Sequence, residues 1–185
     1  MMNASRSQFI VRELRSDEEL AECLALERSY LTDHVWQMDV RDEGGEVAVR
    51  FRSARLPRWV EVDYPRDAAT LMRLWQKRDC FLVALAGGLV LGYINVCIRP
   101  GERGAWVEDL VVNTPFRRHK IGSALLEQAG EWVQASGLCH VTLAVQTKNH
   151  PAISFAQANG LVFCGYNDHY YPNQDIAVFF AKNLR

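Results

Sequence analysis

The chain has 185 residues, 49% of them hydrophobic, enough for a substantial core. Its 21 basic and 22 acidic residues leave a formal charge of −1, which argues against a nucleic-acid binder working through bulk charge. No apolar run approaches the roughly 20 residues of a membrane span, and the opening MMNASRSQF lacks the apolar centre of a signal peptide. The expectation is therefore a cytoplasmic protein with no membrane or nucleic-acid partner. Five scattered cysteines without a C-x-x-C pair read as reduced thiols, and five scattered histidines give no metal-ligand spacing.

In chain order, Phe9 to Arg12 alternates as a first strand. Ser16 with Glu19 three positions on reads as a capping box, and Leu20, Cys23, Leu24 and Leu26 continue that helix. The stretch Tyr30 to Met38 mixes aromatic and polar groups and is expected as a short helix or a loop. Asp42 to Glu46 is a turn signal, Val47 to Ser53 alternates as a strand, and Leu56 to Pro65 reads as irregular because it holds two prolines. Cys80 to Ala86, Gly87–Gly88 and Leu89 to Ile98 form a hairpin pattern with a tight glycine turn. After a turn at Pro100 to Gly104, the strand Ala105 to Val112 completes a meander. A helix is expected from about Lys120 to Ala135, with Ile121, Leu125, Ala129 and Trp132 on one stripe and Gly137 as its stop. Cys139 to Val145 is a strand, Pro151 to Asn159 a helix, and Leu161 to Tyr166 and Asp175 to Ala181 the last two strands. This order describes one α+β domain over residues 1–185. Its parts are helices and first strands over 1–75, the hairpin, third strand, basic loop and helix over 80–135, and a C-terminal half over 138–185.

The segment Trp106 to Leu126, WVEDLVVNTPFRRHKIGSALL, carries the most chemistry. An apolar strand with Glu108 and Asp109 feeds a basic, glycine-containing loop and then a helix. The first N–H groups of a helix lack internal partners and attract negative charge, so strand, loop and helix in that order make an anion site. The cations beside it suit a pyrophosphate. The backbone amides from Arg118 to Ser123, with Arg117 and Arg118 side chains adding charge, are the expected cradle.

Glu108 to Ala124, together with Asn149 to Gly160, resembles the GCN5-related N-acetyltransferase superfamily. That family's loop is written Q/R-x-x-G-x-G/A. Arg117 takes the first position and Gly122 the last, while Lys120 stands where a glycine is usual. Lysine is expected to keep helical dihedrals there and to add a cation. The N-x-x-A-x-x-F-Y-x-x-x-G-F pattern is met by Asn149, Ala152, Phe155 and Gly160, but Ala156 replaces the tyrosine acid and Leu161 the second phenylalanine. Ala144 stands where ribosomal-protein acetyltransferases place a glutamate base. VEDLVV with RRHKIGSALL, Gln146 ahead of Asn149, and the ending DIAVFF are similar to streptothricin-type acetyltransferases.

The resemblance implies a mostly antiparallel mixed sheet with a central splayed strand pair and flanking helices. It implies acetyl-CoA as co-substrate, with no metal. Leu110, Val111 and Val112 would bond the pantetheine arm through their backbone, and Arg117, Arg118, His119, Lys120, Ile121, Gly122 and Ser123 would surround the phosphates. Asn149 and Phe155 would border the coenzyme arm. An ammonium has no lone pair, so transfer needs a base; Glu108 is the first candidate, with Asp109 beside it. On an alternating strand these two face opposite ways unless a bulge rotates them. Tyr170 and Tyr171 are candidate proton donors, and Tyr30, Asp33 and Trp36 would line a cationic acceptor. The implied activity is acetyl transfer to a primary amine of a small molecule, an antibiotic among the options. The alternatives are a protein N-terminal or lysine acceptor, or a non-catalytic acyl-CoA-binding module. Homodimerisation stays open.

Overall fold

The structure is a computed structural model and describes residues 9–184. It is a mixed α+β fold of four helices, a mostly antiparallel seven-stranded sheet and a separate two-stranded ribbon. The chain divides into two compact units. The first comprises the described residues through Arg28, residues Arg66–Ala144, and the chain end from Ala181. The second comprises Ser29–Pro65 and Val145–Phe180.

The first unit begins with β1 (Ile10–Glu13) and α1 (Asp17–Ala25). Ser16 caps α1 by accepting the Glu19 N–H at 3.3 Å, while the Glu19 carboxylate reaches back to the Arg15 N–H and to the Arg12 guanidinium. After α2 (Ala68–Trp75) come β4 (Cys80–Ala86) and β5 (Leu89–Ile98), joined at Gly87 and Gly88 with φ of +58° and +87°. Positive φ at both central residues gives the primed turn that matches strand twist. β6 (Gly104–Val112) and α3 (Ile121–Ala135) follow, then the start of β7 (His140–Gln146). The hydrogen-bonded order is β1-β4-β5-β6-β7, antiparallel except for β6 with β7. β4 is buried almost throughout, which is why it reads as an unbroken apolar run. Ile121, Leu125, Ala129 and Val133 of α3 are buried, whereas Trp132 of the expected stripe is only half-buried. Trp75 of α2 closes an aromatic cluster with Phe81 and Tyr93, with ring centroids 5.2 Å from each.

In the second unit, β2 (Tyr30–Glu43) and β3 (Glu46–Val62) form the ribbon, turned at Gly44–Gly45. α4 (His150–Ala158), β8 (Val162–Asn167) and β9 (Ala177–Asn183) complete the elements, with the order β7-β9-β8. Two expectations change here. Tyr30 to Met38 is strand, neither helix nor loop, because Trp36, Met38 and Val40 alternate onto one face opposite Phe51 and Val49. Leu56 to Val62 is also strand despite Pro57. The register jumps from Thr32↔Val60 to His34↔Arg55, so Pro57 falls in the bulge, where no ladder N–H is required of it. Helix α2 has no counterpart in the sequence expectations. Its eight residues are too few for a periodic signal, although Asp67 caps it by accepting the Thr70 N–H at 2.7 Å.

Candidate functional site

The pairing along β6 is uneven. Its parallel ladder with β7 runs from Gly104↔His140 to Val107↔Leu143 and stops, while β6 continues to Val112. The antiparallel ladder with β5 continues to Gly92↔Val112. The two strands thus splay beyond Val107, the arrangement the resemblance implied. Gly92 permits the close approach at this end. A Cβ there would lie 2.6 Å from the Val111 carbonyl oxygen and 3.2 Å from Val112 Cα.

At the point of splaying, β6 carries a bulge. Asn95 pairs with Asp109 and Val96 with Val107, which leaves Glu108 as the extra residue. Both carboxylates consequently meet one guanidinium. Arg66 Nη1 donates to the Glu108 backbone carbonyl at 2.8 Å and lies 3.4 Å from Asp109 Oδ1, while Nη2 lies 3.5 Å from Glu108 Oε2. Arg99 Nη2 reaches Glu108 Oε1 at 3.0 Å, and the Arg99 guanidinium stacks 3.7 Å above the Trp106 ring. Asp109 Oδ2 accepts the Trp75 indole N–H at 3.3 Å. The Asp109 side chain is fully buried; that of Glu108 keeps 11% exposure. Burial and the nearby Glu108 and Asp79 push the Cys97 thiol up to about 11. Asn95, fully buried opposite Asp109, has neither Oδ1 nor Nδ2 in a hydrogen bond.

Beyond β6, Thr114–Phe116 makes a short 3-10 turn into the basic loop. Arg117 folds back, donating Nε to the Val112 carbonyl at 3.0 Å and Nη2 to the Glu27 carbonyl at 3.3 Å, and partial burial lowers its pKa. His119 Nδ1 sits 2.9 Å from the Arg117 carbonyl oxygen. Arg118 and Lys120 both hold left-handed backbone, with φ of +69° and +64°. Lys120 therefore does not keep helical dihedrals. It occupies the conformation that glycine adopts without a Cβ penalty, which accounts for the glycine usual at this position in the family pattern. Lys120 is the N-cap of α3 without a side-chain hydrogen bond, and no acidic residue lies in the first turn. Helices α1, α2 and α4, by contrast, are each capped by a side-chain oxygen. The turn Ile121–Gly122–Ser123 thus presents its amides with a basic loop beside them and, among the described residues, no carboxylate capping them.

The remaining expected site residues lie in the second unit. Asn149 Oδ1 accepts the Ala152 N–H at 3.0 Å and so caps α4. Phe155 is half-buried on that helix, and Ala156 is fully buried. Tyr30 is buried and donates its hydroxyl to Gln146 Oε1 at 3.0 Å; burial, with Asp175 nearby, raises its pKa strongly. Gln146 Nε2 in turn donates to Asp175 Oδ2 at 2.8 Å, and Lys148 pairs with Asp175 Oδ1 at 2.5 Å. Asp33 pairs with His34 Nδ1 at 2.8 Å, a bond that holds its carboxyl below the usual range. Trp36 packs among Phe51, Phe163 and Phe180, with centroids 5.8–6.4 Å away. Tyr170 and Tyr171 meet edge-on at 5.1 Å, and Tyr171 is buried.

A family model described as "Acetyltransferase (GNAT) family" matches residues 48–161, more than half of the chain. The chain belongs to the GNAT acetyltransferase family. As a member it is an acetyl-CoA-dependent N-acetyltransferase, and the splayed strand, loop and uncapped α3 are where that family's coenzyme site is expected. A streptothricin acetyltransferase of Streptomyces lavendulae is 27% identical over 151 residues, covering 79% of this chain and 78% of that protein. A crystal structure of nourseothricin acetyltransferase superposes with a TM-score of 0.81 at 22% identity, covering 97% of this chain and all of that one. The structure of a putative streptothricin acetyltransferase from Bacillus anthracis in complex with acetyl coenzyme A gives 0.75 at 18% identity, covering 95% and 99%.

Sequence inspection of this acetyltransferase missed Arg66, Arg99, Trp75 and Asn95. They lie between 9 and 43 residues from Glu108 and Asp109 along the chain, Trp75 in the unassigned α2, and none belongs to a local motif. The available signal was the surplus itself: two adjacent carboxylates on an otherwise apolar strand need counter-charges.

Proposed function

We propose that this acetyltransferase works as one domain and transfers the acetyl group of acetyl-CoA to the amine of a small cationic molecule, with streptothricin-like compounds as the first acceptors to test. The observation that carries the chemistry is Glu108, the bulged residue of β6, placed where the ladder with β7 ends. The likeness over most of the chain to proteins named for streptothricin and nourseothricin supports the acceptor class.

Glu108 takes a proton from the acceptor ammonium, directly or through water, and the neutral nitrogen attacks the thioester carbonyl. The tetrahedral species collapses with departure of the coenzyme thiolate, and the second proton on its nitrogen passes to solvent as the amide forms. A thiol with an ordinary pKa near 8.5 is a fair leaving group, and Tyr170 or Tyr171 supplies its proton. Asp109, fixed by Trp75 and Arg66, anchors the strand and keeps its charge beside Glu108. The amides of Ile121, Gly122 and Ser123 receive the pyrophosphate, with Arg118, His119 and Lys120 at its edge, while Leu110, Val111 and Val112 offer backbone groups to the pantetheine amides. Asn149 and Phe155 border the coenzyme arm. On the acceptor side, Asp33 contacts the substrate cation beside Trp36, and Tyr30 holds Gln146 and Asp175 in place.

The test is acetyl-CoA turnover, read as free thiol, over a panel of streptothricins, aminoglycosides, polyamines and peptides. Turnover on a cationic small molecule is expected. Acetylated peptides with all small amines ignored would replace the acceptor class. Glu108→Gln should lower turnover about 10²–10⁴-fold with coenzyme affinity retained by calorimetry; unchanged turnover removes Glu108 as the base.

A further inference from the structure

Glu108 and Asp109 lie among charged and polar groups of the first unit. From the segment before α2 comes Arg66, whose side chain is 9% exposed. From α2 comes the Trp75 indole, and from the turn after β5 comes Arg99. β5 contributes Asn95, the Cys97 thiol and the Tyr93 phenol, whose hydroxyl accepts from Arg28 Nε at 3.3 Å. Asp79, just before β4, lies near Cys97 and accepts the Ile98 N–H at 2.6 Å. Two adjacent carboxylates with so little exposure repel, and without compensation one of them takes up a proton.

The compensation has a specific geometry. Arg99 touches only Glu108 among the two, is 34% exposed and is stacked on Trp106. Arg66 reaches both carboxylates, and it also binds the carbonyl of the bulged residue. Those acceptors lie in different directions, so they need separate N–H groups on a rigid fork. A lysine ammonium supplies one point charge and cannot span them in the same way. Trp75 fixes the second oxygen of Asp109, which leaves Glu108 as the carboxylate whose remaining contacts are with two guanidiniums and solvent.

We infer that Arg66 is a positioning residue for the acetyl transfer: it holds the bulge closed on its carbonyl and keeps Glu108 and Asp109 ionised together, so that Glu108 is ready to accept the amine proton. This inference rests on the assignment of Glu108 as the base. It assigns to the element before α2 a role in setting the pH range of the enzyme.

The experiment compares wild type, Arg66→Gln, Arg66→Lys and the double variant Arg66→Gln/Asp109→Asn. The pH profile of kcat/KM is measured from pH 5.5 to 9.5, alongside calorimetric coenzyme binding. Arg66→Gln should move the acid limb upward by about one pH unit or more, the scale of losing an opposite charge within 4–6 Å. Turnover should therefore fall about tenfold or more below the limb and much less above it. Coenzyme affinity should stay within about threefold. Arg66→Lys should restore part of the shift, and the double variant, which removes one charge of each sign, should return the limb toward wild type. A parallel loss at every pH, not restored by Asp109→Asn, overturns the inference, because it is the signature of a purely structural arginine. If Arg66→Gln does not fold, the displacement of the limb in Arg66→Lys decides, and an unshifted limb overturns the inference. A second readout separates the two assignments. Should Glu108→Gln turn over normally, the base assignment falls. The pH dependence of the denaturation midpoint in Arg66→Gln still shows whether Arg66 governs ionisation of the pair, and a wild-type dependence refutes that.

Discussion

Lys120 offers the sharpest test of the loop geometry. Its backbone sits at φ +64° and ψ +8°, a left-handed conformation in which a Cβ crowds the following carbonyl. Replacing it by glycine and, separately, by alanine removes the same amine from the loop. The difference between the two variants therefore isolates the backbone. In an ordinary helical position alanine is more stable than glycine by about 1 kcal/mol. In left-handed backbone the Cβ costs about 1–2 kcal/mol, which glycine avoids, while glycine's greater freedom in the unfolded chain returns about 0.4–1 kcal/mol. The order thus inverts, with Lys120→Gly above Lys120→Ala by about 0.8 kcal/mol at the middle of these ranges. For a chain of this size that is a melting difference of about 1–4 °C. Differential scanning calorimetry with urea denaturation in parallel measures it, and coenzyme titration of both variants should show the same loss of affinity. An alanine variant as stable as the glycine variant, or more so, refutes left-handed backbone at Lys120 and with it the loop path that places Ile121, Gly122 and Ser123.

Three further outcomes are expected. Asn95→Leu should stabilise the protein by about 1–3 kcal/mol, the range for relieving an unsatisfied buried polar group, since both amide atoms of this fully buried residue lack partners; destabilisation in urea would reveal a partner for that amide. Gly92→Ala should cost about 1–3 kcal/mol as overpacking and weaken coenzyme binding, because its Cβ would press at 2.6 Å on the Val111 carbonyl, backbone that cannot rotate away; wild-type stability and affinity would contradict the Gly92↔Val112 register. Glu19, bonded by Arg12 and the Arg15 N–H, is depressed from its ordinary 4.5 to about 2. Its folded pKa is the lower one, so its contribution is present above about 4.5 and disappears as pH falls through about 2. The stability gap between wild type and Glu19→Gln should accordingly close over that window, and a gap constant from pH 6 to pH 2 would remove the pairing.

Several parts of the molecule follow from neighbouring residues alone. The Gly87–Gly88 hairpin, the Ser16 cap and the Gly137 stop depend on turn and cap chemistry confined to a few positions, and each occurs where it was expected. The order of strand, basic loop and helix from Glu108 to Ala124 is similarly local. The ribbon was harder to anticipate. Pro57 argues against a strand when only its own segment is considered, and becomes acceptable once the β2 partner shifts register opposite it. Trp36 resembles a helix-core residue until cross-strand pairing places it with Phe51 and Phe163.

The sequence by itself determined the family, the apolar strands and the presence of two carboxylates ahead of a basic, glycine-containing loop, since periodicity, glycine placement and residue order are written along the chain. Only the tertiary structure decided what those carboxylates experience. A one-residue bulge turns Glu108 and Asp109 from opposite faces toward a shared arginine, and that arginine arrives from 42 and 43 residues away. Register and long-range charge pairing depend on which strands and loops meet, and no local pattern encodes that.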